Sequence, residues 1–201
     1  MAKERKVQNF KFKRKVKKVA IEAGAHIVGI ASVNQLEAVT PTEKTPLKLL
    51  NSGKSVIAYG IPLLRGVIKS EDLRLKRYNA VEACRMSDEV GLKLAYLLEK
   101  MGHEALIVHA DVPVDFEKGG MMGDLSLRHV AAEAGLGEIG LSTNFICREY
   151  GPRLYLGAVL TSAELMPDEK RDEGLCRGDE CGLCMKACPV GAIKGDCTKD
   201  H

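Results

Sequence analysis

The sequence predicts an α+β domain followed by a small cysteine-rich segment at its carboxyl end. Three observations predict it. Short apolar stretches bounded by glycine alternate with helical patterns over the first 165 residues. A charged run, 166–174, then breaks that rhythm. Beyond it the composition changes to closely spaced cysteines. The expected division is a basic leading helix or arm (1–20), an α+β cofactor-binding domain (21–165) and an iron–sulfur segment (166–201).

The elements follow in order. Val16, Val19, Ala20 and Ala23 recur at helical spacing, and Gly24 stops that helix. His26 to Ala31 reads as a buried strand, Val39 to Pro46 as a Thr/Pro loop and Pro46 to Leu50 as a short helix. Ser55 to Pro62 is a second buried strand. A long helix is expected over Leu73 to Met101, with Val90, Leu94, Leu97, Leu98 and Met101 on one stripe. Gly102 closes it, and Ala105 to Ala110 forms a third strand. Residues 111–124 read as a loop. Ser126 is placed to cap a helix carrying Leu127, Val130, Ala131 and Ala134, which Gly135 ends. Strands are expected at Asn144–Cys147 and Arg153–Thr161, all around one core.

Composition excludes several classes. Of 201 residues 45% are hydrophobic and 28% charged, which is neither disordered nor fibrous. No apolar run reaches the roughly 18 residues of a bilayer span. The amino terminus lacks the apolar core of a secretory signal, which points to the cytoplasm. Aromatics are 4% with no Trp, against a base-stacking platform. The net charge of +3 is local in origin: Lys3, Arg5, Lys6, Lys11, Lys13, Arg14, Lys15, Lys17 and Lys18 face one acid, Glu4. That run reads first as a solvated helix, and second as an anion- or RNA-binding arm.

Seven cysteines are the informative excess. Cys176, Cys181, Cys184, Cys188 and Pro189 give the spacing C-x4-C-x2-C-x3-C-P. Thiolates two residues apart on a tight turn converge on one face of an iron–sulfur cubane, and Cys-Pro turns the chain away. Val190-Gly-Ala-Ile is the tail that bacterial ferredoxins pack on their clusters. Zinc is the weaker reading, because zinc sites pair two distant knuckles; nothing signals the secretion that disulfides would need. The first spacing is longer than the bacterial run, and no second complete motif follows. Cys188 or Cys197 therefore supplies a fourth ligand, or the chain is a piece of a longer protein in which both begin a second cluster; the piece is favoured. Cys84 and Cys147 read as small buried side chains.

Gly135, Gly137 and Gly140 spell G-x-G-x-x-G, but after a helix and before a strand, the reverse of a dinucleotide fingerprint. Ala134-Gly-Leu-Gly-Glu-Ile-Gly, then Glu149-Tyr-Gly-Pro-Arg-Leu-Tyr-Leu-Gly-Ala-Val-Leu-Thr, then the cysteines, resemble the cobalamin-dependent iron–sulfur reductases, that is, epoxyqueuosine reductase and the catalytic subunit of reductive dehalogenases. The resemblance runs from His26 to Ile193. It implies a nitroreductase-like three-layer domain holding base-off cobalamin, with a ferredoxin-like segment delivering electrons to cobalt. By the same resemblance Gly135, Gly137, Gly140 and Asn144 line the corrinoid. Asp111, in Asp-Val-Pro-Val, is the candidate proton donor, and Tyr78, in Tyr-Asn, a pocket residue. Glu138 and Leu141 depart from the Trp and Lys usual in epoxyqueuosine reductases, so the substrate does not carry over. His129 reads as structural; His109, at a strand end, reads first as structural and second as a pocket residue.

The expected function is an iron–sulfur oxidoreductase passing electrons from one 4Fe-4S cluster, or two in a longer chain, to a corrinoid-type cofactor. Reduced ferredoxin or flavodoxin is the expected donor, and a small molecule or modified nucleoside the expected substrate. The competing reading is a non-catalytic 4Fe-4S electron carrier or adaptor.

Overall fold

Backbone geometry in the computed structural model is described for residues 2–40, 44–109, 123–171 and 173–194. The basic leader forms helix α1 (Ala2–Glu22). Strands β1 (Ile27–Ser32), β2 (Ser55–Pro62), β3 (Ala105–Val108) and β6 (Leu154–Thr161) make one antiparallel sheet in the order β1-β2-β6-β3. Between them run α2 (Val33–Glu37), α3 (Pro46–Leu49), α4 (Arg65–Lys69), the 28-residue α5 (Leu73–Lys100) and α6 (Leu127–Glu133). A two-stranded hairpin pairs β4 (Glu138–Ile139) with β5 (Phe145–Ile146). The cysteine segment carries a 3-10 turn (Gly178–Glu180) and α7 (Leu183–Ala187).

The period-2 alternation of the strands sorts side chains onto two faces. Ile30, Ile57, Tyr59, Ile61 and Val159 face Val16 and Ala20 of α1 and Val90, Leu94 and Leu98 of α5. Ala31, Val56, Ala58, Ala158 and Leu160 face Val33 and Leu36 of α2 and Val130 and Ala134 of α6. The result is three layers, helix on sheet on helix, as the sequence predicts. The single core expected is instead two apolar layers, because the central strands are buried on both faces. Tyr59 is fully buried; its hydroxyl donates to the Ser87 carbonyl at 3.0 Å, and burial pushes its pKa up.

Helix boundaries follow local chemistry. Ser32 caps α2 through a box with Gln35, and Asp72 caps α5 by accepting from Arg74 and Leu75. Ser126 stands at the start of α6 as expected, but its hydroxyl contacts His129 Nδ1 at 2.6 Å and leaves the helix amides uncapped. Gly102 and Gly135 both take positive φ where α5 and α6 end.

The run 166–174, with no helix or strand among its described residues, is strapped to the body. Asn9 of α1 donates to Glu164 O at 2.8 Å and accepts from Met166 N at 2.9 Å. Asp168 pairs with Lys13 at 2.8 Å and Lys17 at 2.6 Å, and accepts from the Ile30 amide at 2.9 Å. Lys170 reaches Glu133 at 2.5 Å. Two of the leader's cations, Lys13 and Lys17, are thus ion-pair partners within the fold. Burial raises the Asp168 pKa, but the two lysines and the amide outweigh it, so the carboxyl sits below its usual value. A depressed carboxyl stabilises the fold above the unfolded value of about 3.9 and loses that contribution as pH falls through the folded value. We expect Asp168→Asn to flatten the acid-side fall of stability in urea melts between about pH 5 and pH 2, and Asp168→Ala to cost about 1–3 kcal/mol at neutral pH. An unaltered acid limb would show that this pairing does not stabilise the fold.

Candidate metal centre

The hairpin and the cysteine segment meet. Gly137 packs where a side chain would run into Ile146 O, with Phe145 Cζ at 2.9 Å. Gly140 N–H donates to Asn144 O at 2.9 Å and Thr143 N–H to Gly140 O at 2.8 Å, closing the turn between β4 and β5. Thr143 holds φ 62, and Arg128 braces its carbonyl at 2.5 Å. Against this turn lies Cys176. Its Sγ accepts from the Leu141 amide at 3.3 Å, and its own amide donates to Glu138 Oε1 at 2.6 Å.

Downstream, Cys181 follows the 3-10 turn and Gly182 takes φ 57 at the start of α7. The left-handed glycine turns backbone amides towards the sulfurs. The Leu183 amide holds the Cys181 thiol below its usual pKa, with Arg177 and Lys186 adding to it. Cys188 Sγ accepts from Ala192 N at 3.3 Å; that amide, then those of Val190 and Ile193, lower its pKa as well. Cys176, Cys181, Cys184 and Cys188 are half-buried and free of disulfides. A metal–sulfur core needs thiolates and amide donors together, and this donor set fits one. Among the described residues no three His, Cys, Asp or Glu side chains are gathered closely enough to hold a lone ion.

The other candidates are placed differently. Gly135, with φ 71, abuts the Glu169 carbonyl, and Gly140 faces Ile146 Cδ1 and Cys176. Each of the three glycines thus lies against atoms of this chain, and Asn144, in the same turn, is exposed. Tyr78 is 62% exposed on the first half of α5. Asp111 and Cys197 lie outside the described residues. His109 Nε2 stands 3.4 Å from Asp124. Cys147 is buried, which pushes its thiol up, in keeping with a packing role. Cys84 is only half-buried. Sequence reasoning missed the contacts of Glu138 and Leu141 with Cys176; spacing carries no signal for them.

Comparison with known proteins bears directly on this centre. Residues 179–194 match the 4Fe-4S binding domain, so the segment is a 4Fe-4S segment, and three of the named cysteines fall inside it. An epoxyqueuosine reductase of Bacillus cereus is 31% identical over 150 residues, 74% of this chain and 38% of that protein. A tetrachloroethene reductive dehalogenase of Desulfitobacterium hafniense is 34% identical over 108 residues, 52% of this chain and 17% of that protein. The chain is thus similar over about three quarters of its length to epoxyqueuosine reductases and over about half of it to reductive dehalogenases, with a 4Fe-4S binding segment at residues 179–194. Solved structures share its fold. The epoxyqueuosine reductase of Streptococcus thermophilus superposes with TM-score 0.66 at 23% identity, over 92% of this chain and 54% of the other. An epoxyqueuosine reductase bound to an epoxyqueuosine-modified tRNA-Tyr stem loop gives 0.63 at 21%, over 92% and 53%. The chain therefore spans about half the length of these structures, and less of the curated relatives just named. Both kinds of relative are oxidoreductases. Among the described residues no helix is long and apolar enough to cross a membrane.

Proposed function

We propose that this chain is the redox core of an iron–sulfur reductase, with Cys176, Cys181, Cys184 and Cys188 as the thiolates that hold a 4Fe-4S cluster and Cys197 as the fifth candidate. The observation that carries the reading is the contact that Cys176, just ahead of the 4Fe-4S match at 179–194, makes with the glycine turn. When bound, the cluster supplies one-electron transfer at low potential. The protein's own residues do the rest. Amides of Leu141, Leu183 and Ala192 disperse thiolate charge. The strap from Glu164 to Lys170 fixes the segment to the three-layer body.

The finer reading gives the body a corrinoid-type electron acceptor and a substrate of the modified-nucleoside class. Kinship with epoxyqueuosine reductases supports it, as does the relative solved with a tRNA stem loop. Asp111 is the proposed proton donor and Tyr78 the second candidate; a Bacillus subtilis relative has been solved with its catalytic aspartate loop swung out of the active site. A reduced ferredoxin or flavodoxin in the cytoplasm is the proposed donor. Anaerobic titration with cobalamin tests this form: a base-off band saturating at one equivalent supports it, whereas a cluster-loaded protein that retains no corrinoid favours an electron carrier. In the loaded enzyme Asp111→Asn should lower turnover about 100-fold or more with cofactor retained. Undiminished turnover would remove Asp111 from the role.

A further inference from the structure

Resting on the iron–sulfur reading, we infer that Glu138 and the Leu141 amide seat Cys176 and set the potential of the cluster it ligates. Cys176 precedes the matched segment 179–194 and is bonded at both ends to the hairpin. Its amide reaches Glu138 Oε1 at 2.6 Å, and its sulfur takes the Leu141 N–H at 3.3 Å. Glu138 Oε2 is buried with no hydrogen-bond partner among the described residues. A carboxylate held by one oxygen to the Cys176 amide, with the other buried and unpartnered, acts mainly through its field.

The two groups pull in opposite directions. An N–H aimed at sulfur favours the reduced, more negative state and raises the potential. A carboxylate beside that sulfur disfavours added negative charge and lowers it. Among the described residues Cys176 is the candidate ligand bonded to the hairpin, since the other two bonds to sulfur named above come from the Leu183 amide of α7 and the Ala192 amide after Pro189. Glu138 and Gly140 are positioning residues: one fixes the Cys176 backbone, the other leaves room for its sulfur beside Leu141.

Potentiometry followed by electron paramagnetic resonance on reconstituted protein tests the inference. Glu138→Gln keeps the acceptor and loses the charge, so the midpoint potential should move positive with iron content unchanged. Gly140→Ala places a methyl 2.5 Å from Ile146 Cδ1 and 3.4 Å from Cys176 Sγ, so the turn withdraws and the potential should move negative. Glu99→Gln, on the exposed face of α5, should leave it unmoved. If Gly140→Ala takes up no iron, amide hydrogen exchange in iron-free protein reads the seat instead: the Cys176 amide should exchange about tenfold faster in Glu138→Ala than in wild type. Wild-type potentials in both loaded variants, or equal exchange rates in that assay, overturn the inference. A wild-type protein that takes up no iron overturns the functional reading instead.

Discussion

Cys181→Ser should leave the reconstituted protein without iron or acid-labile sulfide, while Cys84→Ser keeps the wild-type content of both. Cys181 follows a 3-10 turn, and its sulfur lies under the Leu183 amide, which lowers its pKa. Thiolate is the form that binds iron, and that amide favours it. A serine hydroxyl offers neither the softness nor the acidity. Cys84 sits far along the chain in α5, half-buried and outside the matched segment. Iron and sulfide assays on anaerobically reconstituted proteins decide the matter. Equal loss in both variants would mean that Cys84 is a ligand, or that assembly reports folding rather than coordination.

Gly137→Ala should cost about 2–4 kcal/mol and weaken cluster retention with it. An added methyl would collide with the Ile146 carbonyl, which belongs to the β4–β5 ladder, and with Phe145 Cζ at 2.9 Å. A backbone carbonyl cannot swing aside as the end of a side chain can. The strands must separate, and Glu138 leaves Cys176 as they do. Urea unfolding followed by far-ultraviolet circular dichroism measures the loss. A change below about 0.5 kcal/mol would show that the hairpin relaxes freely.

The three-layer fold was legible because its strands are apolar along their whole length and its longest helix keeps one stripe, from Val90 to Leu98. Their bounds came within a few residues for the same reason. The hairpin β4–β5 was half legible. Asn144–Cys147 read as a strand, but Glu138–Ile139 is too short for any period to show. The cysteine spacing showed the 4Fe-4S segment directly, since ligands on one tight turn are local in sequence. What joins that segment to the body was hidden. Glu138 and Cys176 are separated by 38 residues, and a single backbone-to-carboxylate bond leaves no mark on composition or period. The glycines told only that something approaches closely. In three dimensions that something is a carbonyl, a strand neighbour and a sulfur of the same chain.

Asn9 and Met166 are 157 positions apart yet share a hydrogen bond. A ribosome emits helix α1 long before the residues that lock it arrive, so Lys13 and Lys17 have no Asp168 to pair with until that later stretch is made. Closure of this long loop must follow, and the cysteine segment gains its footing only then. A change that disturbs α1 should therefore be felt at the sulfurs.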